Sequence, residues 1–210
     1  MTAAAGQPVR AWWLKTLYRW HWISSAIALV GLLLFAATGL TLNHAAQIEA
    51  HPEVVRRQGT LPAALLAAHS PAPGDAKRHD PLPADIADWV AVALQADVRG
   101  HPAEWSADEF YVALPRPGGD AWLRIDRASG AAELEDTRRG WISYLNDLHK
   151  GRNAGSAWSW FIDAFAVACL VFALTGLAIL QLHAGHRPAT WPLVGLGLTL
   201  PVLLALLSIH

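Results

Sequence analysis

The chain has 210 residues, a formal net charge of −1 and 53% hydrophobic residues. It is too short for several globular domains and too apolar for an ordinary soluble protein, and no nucleic-acid partner is expected. Membrane-spanning segments are therefore the first feature to look for.

The first membrane span is predicted at residues 20–43, after a cytoplasmic N-terminal segment at residues 1–19. Ile23 to Leu42 supplies 20 residues without a charge, enough at about 1.5 Å per residue to cross a hydrocarbon core of about 30 Å. Because this run is longer than the apolar part of a cleaved signal peptide, we expect an uncleaved anchor.

The segment at residues 44–156 is long enough for a small domain. Residues 70–83 are rich in proline and predict a linker. One amphipathic helix follows, with Pro83 in its first turn, Gly100 at its end, and apolar residues at helical spacing: Ile86, Val90, Ala93 and Leu94. A hairpin with a Pro-Gly-Gly-Asp turn is predicted next, with five apolar residues on one face: Phe110, Val112, Leu114, Leu123 and Ile125. These elements predict an α+β domain, in which Asp126 and Gly130 form a turn rather than a catalytic site.

Two further spans follow this segment. The second is predicted at residues 157–183, interrupted only by Asp163, and the third at residues 191–210, where Pro201 should kink the helix. Residues 184–190 form the loop between them. The single cysteine, Cys169, lies in the second span, so the chain can form no internal disulfide.

Positive charges near the span ends predict the orientation of the chain. Those near the first span all precede it: Arg10, Lys15 and Arg19. The N-terminus is therefore expected in the cytoplasm, residues 44–156 outside, residues 184–190 inside and the C-terminus outside. Lys150 and Arg152, before the second span, argue weakly for the reverse orientation.

The first two spans carry a faint internal repeat, in which FAATGLTL at residues 35–42 matches FALTGLAI at residues 172–179. Because the two helices run in opposite directions, the repeat is inverted across the membrane and places equivalent sites near opposite faces. Gly39 and Gly176 in the repeat permit close approach of helices. Gly176 also lies roughly 20° around the helix from His183, so it could clear the surface on which a flat ligand rests.

Four histidines flank these spans in two opposed pairs. His21 and His183 are expected near the inner face, and His44 and His149 near the outer face. Any one alone is better explained as a polar residue of the membrane interface, but two pairs suit the axial ligands of two haems. A zinc site would need a compact cluster of three or four ligands. The sequence lacks Cys-x-x-Cys-His, so each haem would be b type, with His186 as the alternative to His183.

Three charged residues near the spans are candidate supporting groups. Lys150 and Arg152 could contact haem propionates, although both are equally well explained as solvated charges. Asp163, about a turn and a half into the second span, could orient a ligating histidine or move protons near the outer face. Solvation by water near the interface is the alternative for Asp163.

The sequence resembles the PepSY-associated transmembrane helix family of bacterial inner-membrane proteins. The resemblance covers most of residues 18–183 and rests on RWHW, ATGLTLNH, YVALPRPGGDAWLRIDRASG and YLNDLHKGRNAGSAWSWFIDAF followed by LTGLAIL. It implies three transmembrane α-helices with a small periplasmic PepSY-like domain inserted between the first two. Larger relatives include siderophore reductases of the inner membrane, which carry two b haems and pass electrons outward to ferric chelates.

The histidine pairs and the resemblance together predict a membrane-bound, haem-dependent ferric-chelate reductase. It would take electrons from a separate cytoplasmic or membrane donor, since the sequence has no flavin or nucleotide fingerprint, and would reduce a periplasmic ferric siderophore, free or on its carrier. The chain is smaller than those relatives, which leaves an alternative open. In that alternative it is a non-catalytic accessory protein whose PepSY-like domain binds a partner or restrains a peptidase.

Overall fold

The computed structural model of the chain describes residues 6–48, 51–69 and 79–208. It divides into two compact units, Met1–Leu34 with Trp160–His210, and Phe35–Ser159. The helices and strands run in the order α1 (Gly6–Asn43), β1 (Glu53–Thr60), α2 (Ala63–Ala68), α3 (Ala84–Ala93), β2 (Ala103–Trp105), β3 (Glu109–Arg116), β4 (Gly119–Asp126), β5 (Ala131–Arg138), α4 (Gly140–Lys150), α5 (Gly155–His183) and α6 (Thr190–Ser208).

Among the residues that the structure describes, three helices are long and apolar enough to cross a membrane, which confirms the predicted three-span architecture. The candidate spans are Ala11–Asn43, Gly155–His183 and Thr190–Ser208, with mean hydropathies of 2.2, 2.4 and 1.9. α1 begins at Gly6, well before residue 20, because Pro8 suits the first turn of a helix and no later residue of this segment breaks it. α6 continues through Pro201 to Ser208.

The unit Phe35–Ser159 contains a five-stranded antiparallel sheet in the order β1-β5-β4-β3-β2. The predicted hairpin is confirmed, since β3 pairs with β4 along its whole length and their apolar residues share one face. α3 covers that face, and the resulting core includes Ile86, Val90, Leu94, Phe110, Val112, Leu123 and Ile125, all fully buried. The segment between the first two spans is therefore an α+β domain, as expected.

Two expectations for this domain were wrong. The described part of the segment contains three helices rather than one, because α2 and α4 accompany α3. α3 also ends at Ala93 and not near Gly100, since Leu94 is fully buried in the core and Gln95 leaves the helix at φ +51°.

The predicted linker at residues 70–83 is only partly described. Residues 70–78 lie outside the described residues. The last part of the predicted linker is ordered against the domain, because Pro81 pairs with Pro102 across an isolated β-bridge and Leu82 is buried in the core. These residues therefore belong to the domain rather than to a linker.

The Asp126–Gly130 segment forms the expected turn between β4 and β5. The Asp126 carboxylate accepts hydrogen bonds from the backbone N–H of Ser129 at 2.7 Å and from its hydroxyl at 2.6 Å. These bonds lower the pKa of Asp126 below its ordinary value. The carboxylate is thus committed to closing the turn.

Gly100 and Gly118 both have positive φ but lie in different surroundings. A Cβ on Gly118 (φ +71°) would lie 2.8 Å from the Cα of Tyr144, whereas a Cβ on Gly100 (φ +74°) would meet nothing within 4 Å. Gly100→Ala should therefore lower the free energy of unfolding by about 1–2 kcal/mol, the cost of a left-handed backbone alone. Gly118→Ala should cost distinctly more, because the backbone of α4 must also move. Denaturant unfolding of both full-length variants in detergent measures the difference, and equal losses would contradict this account.

Candidate functional site

His21 of α1 lies against the second copy of the internal repeat. Its Nδ1 is 3.1 Å from the hydroxyl oxygen of Thr175 and 3.2 Å from the carbonyl oxygen of Phe172. The imidazole stacks on the Phe172 ring, with centroids 4.7 Å apart and planes 14° apart. A Cβ on Gly176 would lie only 3.2 Å from the Cε1 of His21. These four residues, called the His21 site below, all belong to the unit that contains Leu34 and Trp160.

His149 of α4 lies in the same way against the first copy of the repeat. Its Nδ1 is 2.7 Å from the hydroxyl oxygen of Thr38, and its ring centroid is 5.0 Å from that of Phe35. A Cβ on Gly39 would lie 3.4 Å from the Cε1 of His149. These four residues, called the His149 site below, all belong to the unit Phe35–Ser159.

The two sites share a local design that follows from helix geometry. In each copy of the sequence Phe-x-x-Thr-Gly, the named residues stand at positions i, i+3 and i+4 and therefore share one helix face. The phenylalanine supplies a ring, the threonine a hydroxyl and the glycine an open space, and one histidine from another helix fills that space. The sequence repeat revealed both motifs, but sequence reasoning missed the roles of four of its residues: Phe35, Thr38, Phe172 and Thr175.

The hydrogen bonds assign the tautomer of each site histidine. The Thr175 hydroxyl donates to the carbonyl oxygen of Val171 at 2.6 Å, so its oxygen accepts the Nδ1–H of His21. The Thr38 hydroxyl lies 3.2 Å from the Phe35 carbonyl and can likewise donate to it, and on this basis we assign the Nδ1–H of His149 as the donor to Thr38. A neutral imidazole with its proton on Nδ1 keeps a lone pair on Nε2.

His44 and His183 are the other two predicted ligands, and both are exposed. The Nδ1–H of His44 donates to the Leu40 carbonyl at 3.0 Å and that of His183 to the Ile179 carbonyl at 2.9 Å. The Nε2 of His183 also lies 3.3 Å from the hydroxyl of Tyr18. Among the described residues, no hydrogen bond or ring contact joins His21 to His183 or His44 to His149. The structure thus brings one histidine, rather than two, to each motif.

α4 holds His149 through two buried polar residues that the sequence reasoning missed. Asn146 accepts a hydrogen bond from the Thr41 hydroxyl at 2.9 Å. Asp147, only 4% exposed, accepts the backbone N–H of Gly118 at 2.9 Å and pairs with Arg152, whose Nη2 is 2.9 Å from Oδ1. Both follow from the NDLH sequence, in which neighbouring polar residues face the end of α1 and the hairpin turn.

The predicted supporting residues occupy different surroundings. Arg152 is tied to Asp147, with its side chain still 60% exposed, while Lys150 is exposed at the end of α4. Asp163 is exposed on α5. The side chain of His186 lies outside the described part of the structure. Within residues 6–48, 51–69 and 79–208, no group of three or more His, Cys, Asp or Glu residues is arranged to hold a metal ion.

The sheet domain has a cavity of about 410 Å³ whose lining includes three arginines, His101 and the carboxylates of Asp97 and Asp136. Arg116 and Arg138 there face the carboxylate of Asp136, and Arg57 donates to the Leu94 carbonyl at 3.1 Å. The three guanidinium groups thus have internal partners, and the lining carries charges of both signs.

Comparison with known proteins identifies a family. The family model described as PepSY_TM-like matches residues 12–210. No curated protein and no solved structure matches the chain. The match covers all three candidate spans, the sheet domain and both histidine sites.

Proposed function

The chain belongs to the PepSY_TM-like family, and from this premise we propose that it is a b-type di-haem electron-transfer protein of the bacterial inner membrane. It would reduce a ferric siderophore or another iron chelate in the periplasm. The single observation that carries the proposal is the recurrence of one arrangement, a histidine on Phe-x-x-Thr-Gly, in both units of the structure.

The donor set of these histidines fits haem iron. Histidines that bind metals usually donate their second ring N–H to an oxygen, which fixes the tautomer and increases the basicity of the ligating nitrogen. All four predicted ligands have Nδ1 within 3.2 Å of such an oxygen. The lone pair for iron would therefore come from Nε2 in each case. Two bound b haems would supply one-electron chemistry at iron.

Each residue then has a proposed role. His21 and His183, or His186 in place of His183, would ligate the inner haem, and His44 and His149 the outer one. Gly39 and Gly176 let the two site imidazoles lie close to the helix, and a Cβ on Gly176 would approach His21 more tightly than a Cβ on Gly39 would approach His149.

The charged residues would support the outer site. Asp147 and Arg152 hold α4, and so position His149. Lys150 and the exposed part of Arg152 would face the propionates, and Asp163 would serve proton movement near the outer face. The cavity of the sheet domain, with three arginines and two carboxylates in its lining, would be the docking place of the chelate, whose hard oxygen ligands hold ferric iron more tightly than ferrous iron.

The proposed orientation places the N-terminus in the cytoplasm and the sheet domain in the periplasm. Reporter fusions near residues 5, 75, 187 and 210 should therefore read inside, outside, inside and outside. The arginines and lysine before the first span supply the physical reason. An inside signal at residue 75 would exchange the faces of the two histidine sites.

Haem content and electron transfer test the proposal in sequence. Protein purified after expression with sufficient haem should be red, and pyridine haemochrome analysis should give two b haems per chain. Vesicles with a trapped reductant and external ferric chelate should then form ferrous iron faster than protein-free vesicles.

Two outcomes would count against parts of this proposal. A colourless but folded protein would reject the redox function and favour the accessory protein, because the same His–Thr contacts also serve as interhelical hydrogen bonds. Reduced haems that no ferric chelate reoxidises would reject only the acceptor.

A further inference from the structure

α4 has an inverted distribution of polar and apolar residues. Its polar residues Asn146 and Asp147 are 8% and 4% exposed, whereas Trp141 and Tyr144 are 70% and 45% exposed. In a soluble domain the aromatic residues of such a helix would face the core. The exposed aromatic pair is therefore a candidate for contact with an apolar or amphipathic environment outside the protein.

Four apolar residues of α4 share one face. Trp141, Tyr144, Leu145 and Leu148 stand at positions i, i+3, i+4 and i+7, the spacing of a single helix stripe. Within this stripe Trp141 and Tyr144 are exposed, and Leu145 and Leu148 are half-buried. The opposite side of α4 is fixed to the protein through Asn146 and Asp147.

Contacts with the ends of two spans fix the position of α4 beside those ends. His149 and Asn146 contact Thr38 and Thr41 of α1, and Thr38 lies only about 7.5 Å along the helix from its last residue. The indole N–H of Trp158, in the first turn of α5, donates to the Leu148 carbonyl at 2.9 Å. α4 is therefore attached where two membrane spans end.

The short link between α4 and α5 keeps α4 close to the first turn of α5. Only four residues separate Lys150 from Gly155, and the backbone reverses through left-handed conformations at Gly151 (φ +66°), Asn153 (φ +57°) and Gly155 (φ +78°). The Arg152–Asp147 ion pair closes the same turn. α4 is therefore held at the start of α5, without a long tether.

We propose that α4 is an interfacial helix whose exposed face rests in the lipid bilayer surface. Trp141 and Tyr144 lie at the boundary between headgroups and acyl chains, where amphipathic aromatic rings are enriched in membrane proteins. The lipid is the occupant because the helix that carries this face is attached at the ends of two candidate membrane spans. The inference is independent of haem.

An environment-sensitive label tests this placement in the full-length protein. Cys169 is replaced by alanine, and single cysteines are introduced as Trp141→Cys and Tyr144→Cys, labelled with a nitrobenzoxadiazole dye and reconstituted in phosphatidylcholine–phosphatidylglycerol vesicles. Matched labels are placed at Leu174, 65% exposed within the α5 span, and at Ala128, exposed in the β4–β5 turn. Circular dichroism and elution volume check folding of each variant.

The labels at positions 141 and 144 should be quenched by lipids brominated near the headgroup, and aqueous iodide should quench them several-fold less than the label at Ala128. The label at Leu174 should respond to deeply brominated lipids. Iodide access equal to that at Ala128 would place the face in water and overturn the proposal. Protection from iodide without quenching by any brominated lipid would mean that protein, such as a second copy, covers the face, which would also overturn it. Two labelled positions keep the test decisive if one substitution perturbs folding.

Discussion

Replacing His149 by alanine should reduce the haem content of the purified protein from two per chain to one, and replacing His21 should remove the other haem. Each substitution takes away an imidazole whose Nδ1–H is fixed by a threonine hydroxyl and whose Nε2 is the proposed ligand. The double variant should be colourless. Haemochrome analysis and redox titration of the three variants measure the effect.

Matched variants separate ligation from folding. His101→Ala, in the sheet domain and outside both histidine sites, should retain two haems. Thr38→Val and Thr175→Val should also retain haem but shift the reduction potential of one haem each, because loss of the hydrogen bond changes the basicity of the ligating ring. If His21→Ala and His149→Ala both keep two haems, these histidines are not the ligands, and the contacts of both motifs serve helix packing.

Phe110→Ala should give the largest loss of stability in the sheet domain, about 3–5 kcal/mol in the free energy of unfolding. Phe110 is fully buried, stacks edge-on against Trp105 with centroids 4.6 Å apart, and pairs with Ile125 across the hairpin. Truncation leaves a cavity in the layer between the sheet and α3. Denaturant unfolding of the full-length protein, followed by tryptophan fluorescence, measures the loss.

Val92→Ala provides the comparison for this substitution. Val92 belongs to α3 but is 82% exposed, so removing its two methyl groups should change stability by less than about 0.5 kcal/mol. Similar losses for the two variants would mean that the transition does not report unfolding of this core.

Local patterns account for the elements that the sequence predicted correctly. A span is recognised from twenty neighbouring apolar residues, and the hairpin from alternation over eight residues in each strand, so neither depends on a distant partner. α4 was missed because its polar residues face inward. Asn146 and Asp147 are satisfied by Thr41 and Gly118, which are remote in sequence, and no local rule anticipates such partners.

The histidine sites were also predicted only in part, since local patterns identified their residues but not their partners. The repeat identified both Phe-x-x-Thr-Gly motifs, with His44 and His183 shortly after them, and the sequence grouped the four histidines by membrane face. The structure adds which histidine lies on which motif, with His149 on Thr38, 111 residues away, and His21 on Thr175, 154 residues away. Which histidine fills which motif depends on how the helices associate, which residue spacing does not encode.

Each histidine site joins two helices that are far apart in the sequence, and this has a consequence for how the protein is made. When α1 enters the membrane, neither its histidine nor its Phe-x-x-Thr-Gly motif has a partner, because both partners are still to be synthesised. The His149 site can form once α4 has left the ribosome, whereas the His21 site must wait until α5 has been inserted as far as Gly176. The two sites therefore form in a fixed order. The side chain of His21 lacks its partners Phe172 and Thr175 until the second span is inserted.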